Sequence, residues 1–314
     1  MHEDHKYDFL LSPSSTHELY DRHVHDSPEE IATVRSALRE DSRAIVRVNA
    51  IVALSASLKE RAIPDLMAAL DDTDPDVVSE AAFSLAASAP EYLSRPENKE
   101  TMAALRSHAA AVRAALSSAN VRVRFNAATV LVALVDPDVD LGILLRDTTS
   151  LVRAEGLKLA AARATAGHAI GPADVKLLDA VARTDADPQL RTRAVNLVAD
   201  HAPMLAAPVL VAAFERGDVD RGLAQTIEAN KLGYLVPAIV AYVQKQPKEA
   251  YWLKTLVVLK ATCASQVIAG LLADYTTGEL AAEALRSLSG HSDWTAAQLE
   301  GWAKQQPADV APCK

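Results

Sequence analysis

Residues 46–54, Val46-Arg47-Val48-Asn49-Ala50-Ile51-Val52-Ala53-Leu54, place Val46, Ala50 and Leu54 at i, i+4 and i+8. That spacing lines them up as one stripe along a helix. The pattern returns at Val77, Ala81 and Leu85, at Val123, Ala127 and Leu131, at Val152, Gly156 and Ala160, and at Leu190, Ala194 and Val198. The middle position is small each time, which lets a neighbouring helix come close. An arginine follows the first apolar residue at Arg47, Arg124, Arg153 and Arg191, whereas Val78 stands there in the second unit.

Acidic turns precede these helices. Asp41, Asp72, Asp147 and Asp185 each stand five residues before the first apolar position, and Pro75 and Pro188 each follow an aspartate. Aspartate is a good N-cap and proline fits the first helical turn. A further apolar helix lies before each turn, as in residues 64–70. The unit is therefore helix, acidic turn, helix. Successive first positions are 31, 46, 29 and 38 residues apart. A repeat of roughly 30–45 residues signals a solenoid.

These turns, arginines, small residues and following leucines resemble HEAT repeats, especially the short bacterial form also called PBS-lyase-like repeats. The resemblance spans roughly residues 28–290. It implies an all-α, right-handed α-solenoid, and a fold that hosts scaffolds, adaptors and a few enzymes. Three enzyme families of this type were compared. Deoxyhypusine hydroxylases carry His-Glu pairs inside their repeats, whereas His2-Glu3 and His17-Glu18 lie outside them here. HEAT-like DNA glycosylases use a basic, Trp-lined face, whereas Trp252, Trp294 and Trp302 all lie towards the C-terminal end of an acidic chain. Phycobilin lyases share the repeat type and nothing further.

The rest of the chain is read around that array. Residues 1–26 form a polar, His-rich segment with a short lead helix opening at Ser15, and residues 1–14 read as a solvated tail. Ser27-Pro28-Glu29-Glu30 is a strong helix start. One array of about seven to eight helix pairs is expected over residues 27–306, with a long loop near 88–99. Residues 167–171 read as a linker between helix pairs. Further pairs are expected at 208–215 with 219–229, at 234–244 with 248–260, and at 265–275 with 279–288. Residues 291–306, with Trp294 and Trp302, read as a C-terminal cap, and 307–314 as a tail.

Composition narrows the function. The 314 residues are half hydrophobic and only 4% aromatic, which suits close-packed helices better than a β-sandwich. The net charge is −9. That disfavours nucleic acid and anionic membranes, whose binding relies on Lys and Arg, and favours a basic or mixed-charge protein partner. No run approaches the 18 apolar residues of a membrane span, and the N-terminal stretch lacks the regions of a signal peptide. A cytoplasmic protein in a reducing compartment is the expectation. Cys263 and Cys313 alone provide neither a disulfide framework nor zinc spacing, and Cys263 reads as a small buried residue.

His2, His5, His17, His23 and His25 lie among Asp4, Asp21 and Asp26, in a segment with little apolar content to hold a metal geometry. Asp72, Asp74 and Asp76 superficially resemble a calcium loop, but Val77 and Phe83 stand where such a loop needs Gly and Glu. Asp136, Asp138 and Asp140 fail likewise. The sequence holds no phosphate loop, no G-x-S-x-G and no H-E-x-x-H. No cofactor, metal or catalytic residue is expected.

The binding expectation comes from a helical wheel. Positions i+2 and i+6 of the second helices point away from the i, i+4, i+8 stripe. In the early units they are Val48, Val52, Ser79, Phe83, Phe125 and Thr129; later they are Ala154, Lys158, Thr192 and Asn196, an ordinary solvated face. Large apolar groups on an exposed face mark an interaction site. The expected contact patch is thus Val48, Val52, Phe83 and Phe125, flanked by Glu80 and Asn126 as polar specificity groups, with Tyr92 in the long loop as a second candidate. The expected function is a non-enzymatic adaptor, scaffold or regulatory partner. A toxin-neutralising immunity protein is the runner-up, and a glycosylase-like or bilin-lyase-like enzyme the rival from another class.

Overall fold

The structure is a computed structural model that describes residues 7, 10, 27–87, 99–249 and 251–307. Among the described residues there are 18 α-helices and no strand. The fold is an all-α solenoid of successive helix pairs. The chain divides into two compact units, Met1–Ala166 and Gly167–Lys314, at the stretch the sequence marks as a linker. Gly167, with φ 95°, takes a left-handed conformation that favours glycine.

The first unit holds α1 (Pro28–Glu40), α2 (Ala44–Leu58), α3 (Ile63–Ala69), α4 (Pro75–Ala87), α5 (Lys99–Ser107), α6 (Ala109–Ala115), α7 (Val121–Leu134), α8 (Leu141–Leu145) and α9 (Ser150–Thr165). The Ser27 hydroxyl caps α1 by accepting from the Glu30 amide at 3.2 Å. The second helices α2, α4, α7 and α9 pack in succession. Every member of the five apolar sets is buried. The small middle position has the expected cause at Gly156, where a Cβ would stand 2.9 Å from the Leu144 Cβ of α8.

Arginine and aspartate tie the turns together. The Arg47 guanidinium donates to both Asp72 oxygens, at 2.8 and 2.9 Å, and to the Asp41 carbonyl at 2.8 Å. Arg124 repeats the forward pair with Asp147 at 2.7 Å, and Arg153 the backward bond to the Asp147 carbonyl at 2.9 Å. The turn aspartates do not themselves cap the second helices. Asp72 and Asp147 accept from amides two residues on, Asp74 N and Thr149 N, each at 2.8 Å, which shapes the turn ahead of the helix. Burial works to raise the Asp147 carboxyl, but Arg124 and the Thr149 amide outweigh it and hold the group below its ordinary range.

The second unit holds α10 (Pro172–Thr184), α11 (Pro188–His201), α12 (Ala207–Arg216), α13 (Arg221–Asn230), α14 (Val236–Lys245), α15 (Tyr251–Val258), α16 (Ser265–Ala269), α17 (Gly278–Ser289) and α18 (Ala296–Ala303). It keeps one rung of the ladder: Arg191 pairs with Asp218 at 2.8 Å and reaches back to the Asp185 carbonyl at 3.0 Å. Beyond that, aromatic packing takes over. Phe214, Tyr242 and Trp252 meet edge to face, with ring centroids 4.9 to 6.1 Å apart. The hydroxyls of Tyr242 and Tyr251 both donate to Glu249 Oε2, at 3.0 and 2.8 Å. Burial and that carboxylate push Tyr242 up to about 12, and Tyr251 higher still.

Two expectations are corrected here. The helix expected over 265–275 ends at Ala269, followed by turns up to Gly278. A Cβ at Gly278 would lie 2.5 Å from the Leu272 carbonyl oxygen, so the turn folds back tightly onto α17. Cys263 is buried as expected but is disulfide-bonded rather than a reduced thiol. It stands just before α16, which packs on α18, and Gln266 donates to the Gln306 carbonyl at 2.8 Å, so the C-terminal end of the described chain returns beside it. Cys313 lies outside the described residues.

Candidate functional site

The expected contact patch lies on α2, α4 and α7, and its members differ in access. Phe83 and Phe125 are half-buried at the i+6 and i+2 positions of α4 and α7, which pack directly on each other. Val48 and Val52 are only 3% and 6% exposed, so they are not free surface. The reason is local. α2 packs on α1 and α4, and Asn49, between the two valines, donates its side-chain amide to the carbonyl of Leu10. Tyr7 and Leu10 are themselves 5% and 3% exposed, so the tail expected to be solvated is anchored at these two residues. The rest of the N-terminal histidine and aspartate cluster lies outside the described residues, as does Tyr92.

Glu80 and Asn126 are brought together, but not as exposed flanking groups. Both are buried, and the Asn126 amide donates to Glu80 Oε2 at 2.9 Å. Burial raises the Glu80 carboxyl above its ordinary value, and the Arg122 charge, 3.7 Å away, and the Asn126 bond only partly offset it. Ser79, expected at i+2 on the open face, is fully buried and donates to the Val123 carbonyl at 3.1 Å. These bonds join α4 to α7 and fix the two phenylalanines in register.

A polar stripe was missed in the sequence. Asn49, Glu80, Asn126 and Glu155 occupy the i+3 position of the four second helices, and all are buried. Glu155 accepts from Lys158 Nζ at 2.6 Å. The signal was visible: an amide or carboxylate directly before the small middle residue in four of the five sets, with Arg193 in the fifth. A buried polar group that recurs with the repeat needs a partner each time.

The second unit carries a separate feature. A cavity of about 410 Å³ lies between α11 and α13, lined by Asn196, Asp200, Gln225, Thr226 and Asn230 among others. The Asn196 amide nitrogen approaches Asp220 at 3.3 Å, while its buried oxygen has no hydrogen-bond partner. The sequence reading of Asn196 as part of a plain solvated face is thereby corrected: the residue is half-buried in a polar groove. Elsewhere, Asp136 accepts from the amides of Asp138 and Val139, both at 3.0 Å, and pairs with Arg113 at 2.7 Å. Asp140 caps α8 through the Gly142 amide at 2.8 Å. The aspartate runs are accounted for as turns and caps. Among the described residues, no group of three or more His, Cys, Asp or Glu stands in a metal-holding arrangement, and no helix is long and apolar enough to cross a membrane.

The sequence that forms the first of these helix pairs has a match among known families. A profile of HEAT repeats matches residues 23–90. The matched stretch covers α1 to α4, the first two helix pairs, where the Arg47–Asp72 rung lies. A search of curated proteins returned no match.

Proposed function

We propose that the chain is a non-enzymatic protein-binding module, an adaptor, scaffold or regulatory partner, that engages another protein through the α4–α7 face of its first unit. The observation that carries this is the pair Phe83 and Phe125, two large aromatic side chains left only partly buried on adjacent second helices. HEAT repeats commonly serve as protein-interaction modules, which supports the reading. Aromatic anchors that become desolvated on binding contribute on the order of 2 kcal/mol each. The net charge of −9 favours a partner of basic or mixed charge over nucleic acid or an anionic membrane, and a basic toxin neutralised by an immunity protein is the narrower form of the same idea.

Location is a separate point. The composition suits a cytoplasmic protein, and the disulfide at Cys263 is the observation that weighs against one, since disulfides persist mainly in oxidising compartments. The test of the binding face is a photocrosslinking amino acid placed at Phe125 in the full chain expressed in its own cells. The proposal expects one protein captured at Phe125 and not from a control position on the exposed side of α1 such as Glu29. Equal capture from both positions overturns it.

A further inference from the structure

The ladder aspartates Asp72, Asp147 and Asp218 each hold an arginine. Asp200 of α11 and Asp220, just before α13, do not. Neither has a salt-bridge partner among the described residues, although Arg193 and Arg221 stand exposed near them in sequence. Asp220 caps α13 by accepting from the Leu223 amide at 2.8 Å, and Asp200 accepts only the Thr226 hydroxyl. Each carboxylate is left with capacity for a further donor.

Asn196 stands one helical turn before Asp200 on the same helix. Its amide nitrogen lies 3.4 and 3.3 Å from the two Asp220 oxygens, longer than a normal bond. The carboxylate keeps that nitrogen on its side, so Oδ1 turns inward, where it is buried without a partner. A buried acceptor that lacks a donor is destabilising. Gly222 opens the spot. A Cβ there would stand 3.2 Å from Asp220 Oδ1 and 3.6 Å from Asn196 Nδ2, so the missing side chain leaves this pair facing the groove between α11 and α13. Gln225 and Asn230 add two amides to its wall, and no lining residue is basic.

We propose that this groove receives a guanidinium group, either a peptide's arginine side chain or a small free guanidine. The site lies wholly in the second unit and does not depend on the α4–α7 face. A guanidinium brings the charge that Asp200 and Asp220 lack, and its planar fork of five donors reaches a carboxylate and a neighbouring acceptor at once. It sheds water more readily than an ammonium, which suits a partly enclosed groove. Once it donates to Asp220 in place of Asn196, the asparagine is free to turn its oxygen to the ligand.

The experiment is a magnetic-resonance titration of the nitrogen-labelled full chain at about 0.15 M salt. The Asn196 side-chain amide signal is assigned by its loss in Asn196→Ala. A capped tripeptide with arginine between two alanines is expected to shift it, with a dissociation constant of about 1 mM. The citrulline tripeptide keeps the shape and loses the charge, and is expected to bind at least about tenfold more weakly. Asp200→Asn, which still accepts from Thr226, should weaken the arginine tripeptide by about the same factor. Gly222→Leu should close the groove and abolish the shift with the helical spectrum unchanged. Methylguanidinium separates the two sources: affinity at least equal to that of the tripeptide marks a small free guanidine, and weaker binding marks a peptide arginine. Asp138→Asn, at a carboxylate 72% exposed in the first unit, should change nothing. The proposal is overturned by no saturable shift up to about 10 mM, by citrulline binding as well as arginine, by a lysine tripeptide binding more tightly, or by wild-type affinity in Gly222→Leu. Equal weakening by Asp138→Asn and Asp200→Asn overturns it too, as general attraction to an acidic chain.

Discussion

The two units build the same helix pairs by different means. In the first, arginine–aspartate rungs tie helices to the following turns, the Glu80–Asn126 bond joins two second helices, and the core between them is aliphatic. In the second, one rung survives at Arg191, and Phe214, Tyr242 and Trp252 fill the interior. Rungs are set by fixed spacing, so they leave a periodic trace in sequence. Aromatic packing only has to fill space, and it leaves none.

The comparison breaks most visibly at Trp252, fully buried and 4.9 Å from the Phe214 ring centroid. Trp252→Ala is expected to cost about 3–5 kcal/mol in chemical denaturation, the range for emptying a packed aromatic site. A cost below about 1 kcal/mol shows that the cluster does not hold the second unit. In the first unit the equivalent test is Arg47→Ala, which strands Asp72 between two turns. Both side chains of this pair are little exposed, at 12% and 13%. The expected cost is about 2 kcal/mol, less than for a fully buried pair because the edge of the turn stays wet. Arg47→Lys should recover only part of it, since lysine lacks the two-pronged geometry.

Glu80 sharpens the same contrast in the opposite direction. Its folded-state carboxyl is raised above the ordinary value of 4.5 by burial. The folded chain therefore binds that proton more tightly than the unfolded one, and stability falls as pH rises from the unfolded value through the folded one. Glu80→Gln keeps an acceptor for Asn126 and removes the desolvated charge. It is expected to raise stability at neutral pH by up to about 1 kcal/mol, and the gain should vanish below about pH 4. Loss of stability at neutral pH instead means that the Arg122 pair outweighs burial.

The smallest effect is at His108, whose Nε2 lies 3.0 Å from Asp71 Oδ1 and whose Nδ1 lies 2.8 Å from the Ala104 carbonyl. The backbone bond to Ala104 and the bond to Asp71 raise its value above 6.5. This contribution is complete below the unfolded value and is lost as pH rises through the folded one. Asp71 is 81% exposed, so water screens the pair. A stability difference of a few tenths of a kcal/mol between about pH 5.5 and 8.5, abolished by His108→Ala, is expected.

The fold was legible in the sequence because its cause is periodic. The i, i+4, i+8 stripes of five helices are all buried. The proposed face was legible only in part. The wheel sets Phe83 and Phe125 off the buried stripe, and both are only partly buried, but it treats each helix as if alone. It therefore missed that Val48 and Val52 are buried, and that Asn49 between them bonds the Leu10 carbonyl, a long-range bond with no local pattern. It also took Glu80 and Asn126 as surface groups, although a wheel cannot show that they meet across α4 and α7. The groove at Asn196 escaped for the same reason: two polar helix faces look solvated until they are set side by side.

The proposed face requires Phe83 and Phe125 to be accessible anchors and not core. Thermal and urea unfolding of Phe83→Ala and Phe125→Ala in the full chain measure this directly. Partly buried side chains on the α4–α7 face predict a loss of about 1 kcal/mol each, with the urea slope unchanged. A loss of about 3–5 kcal/mol for both is the signature of buried core and would contradict the proposed face.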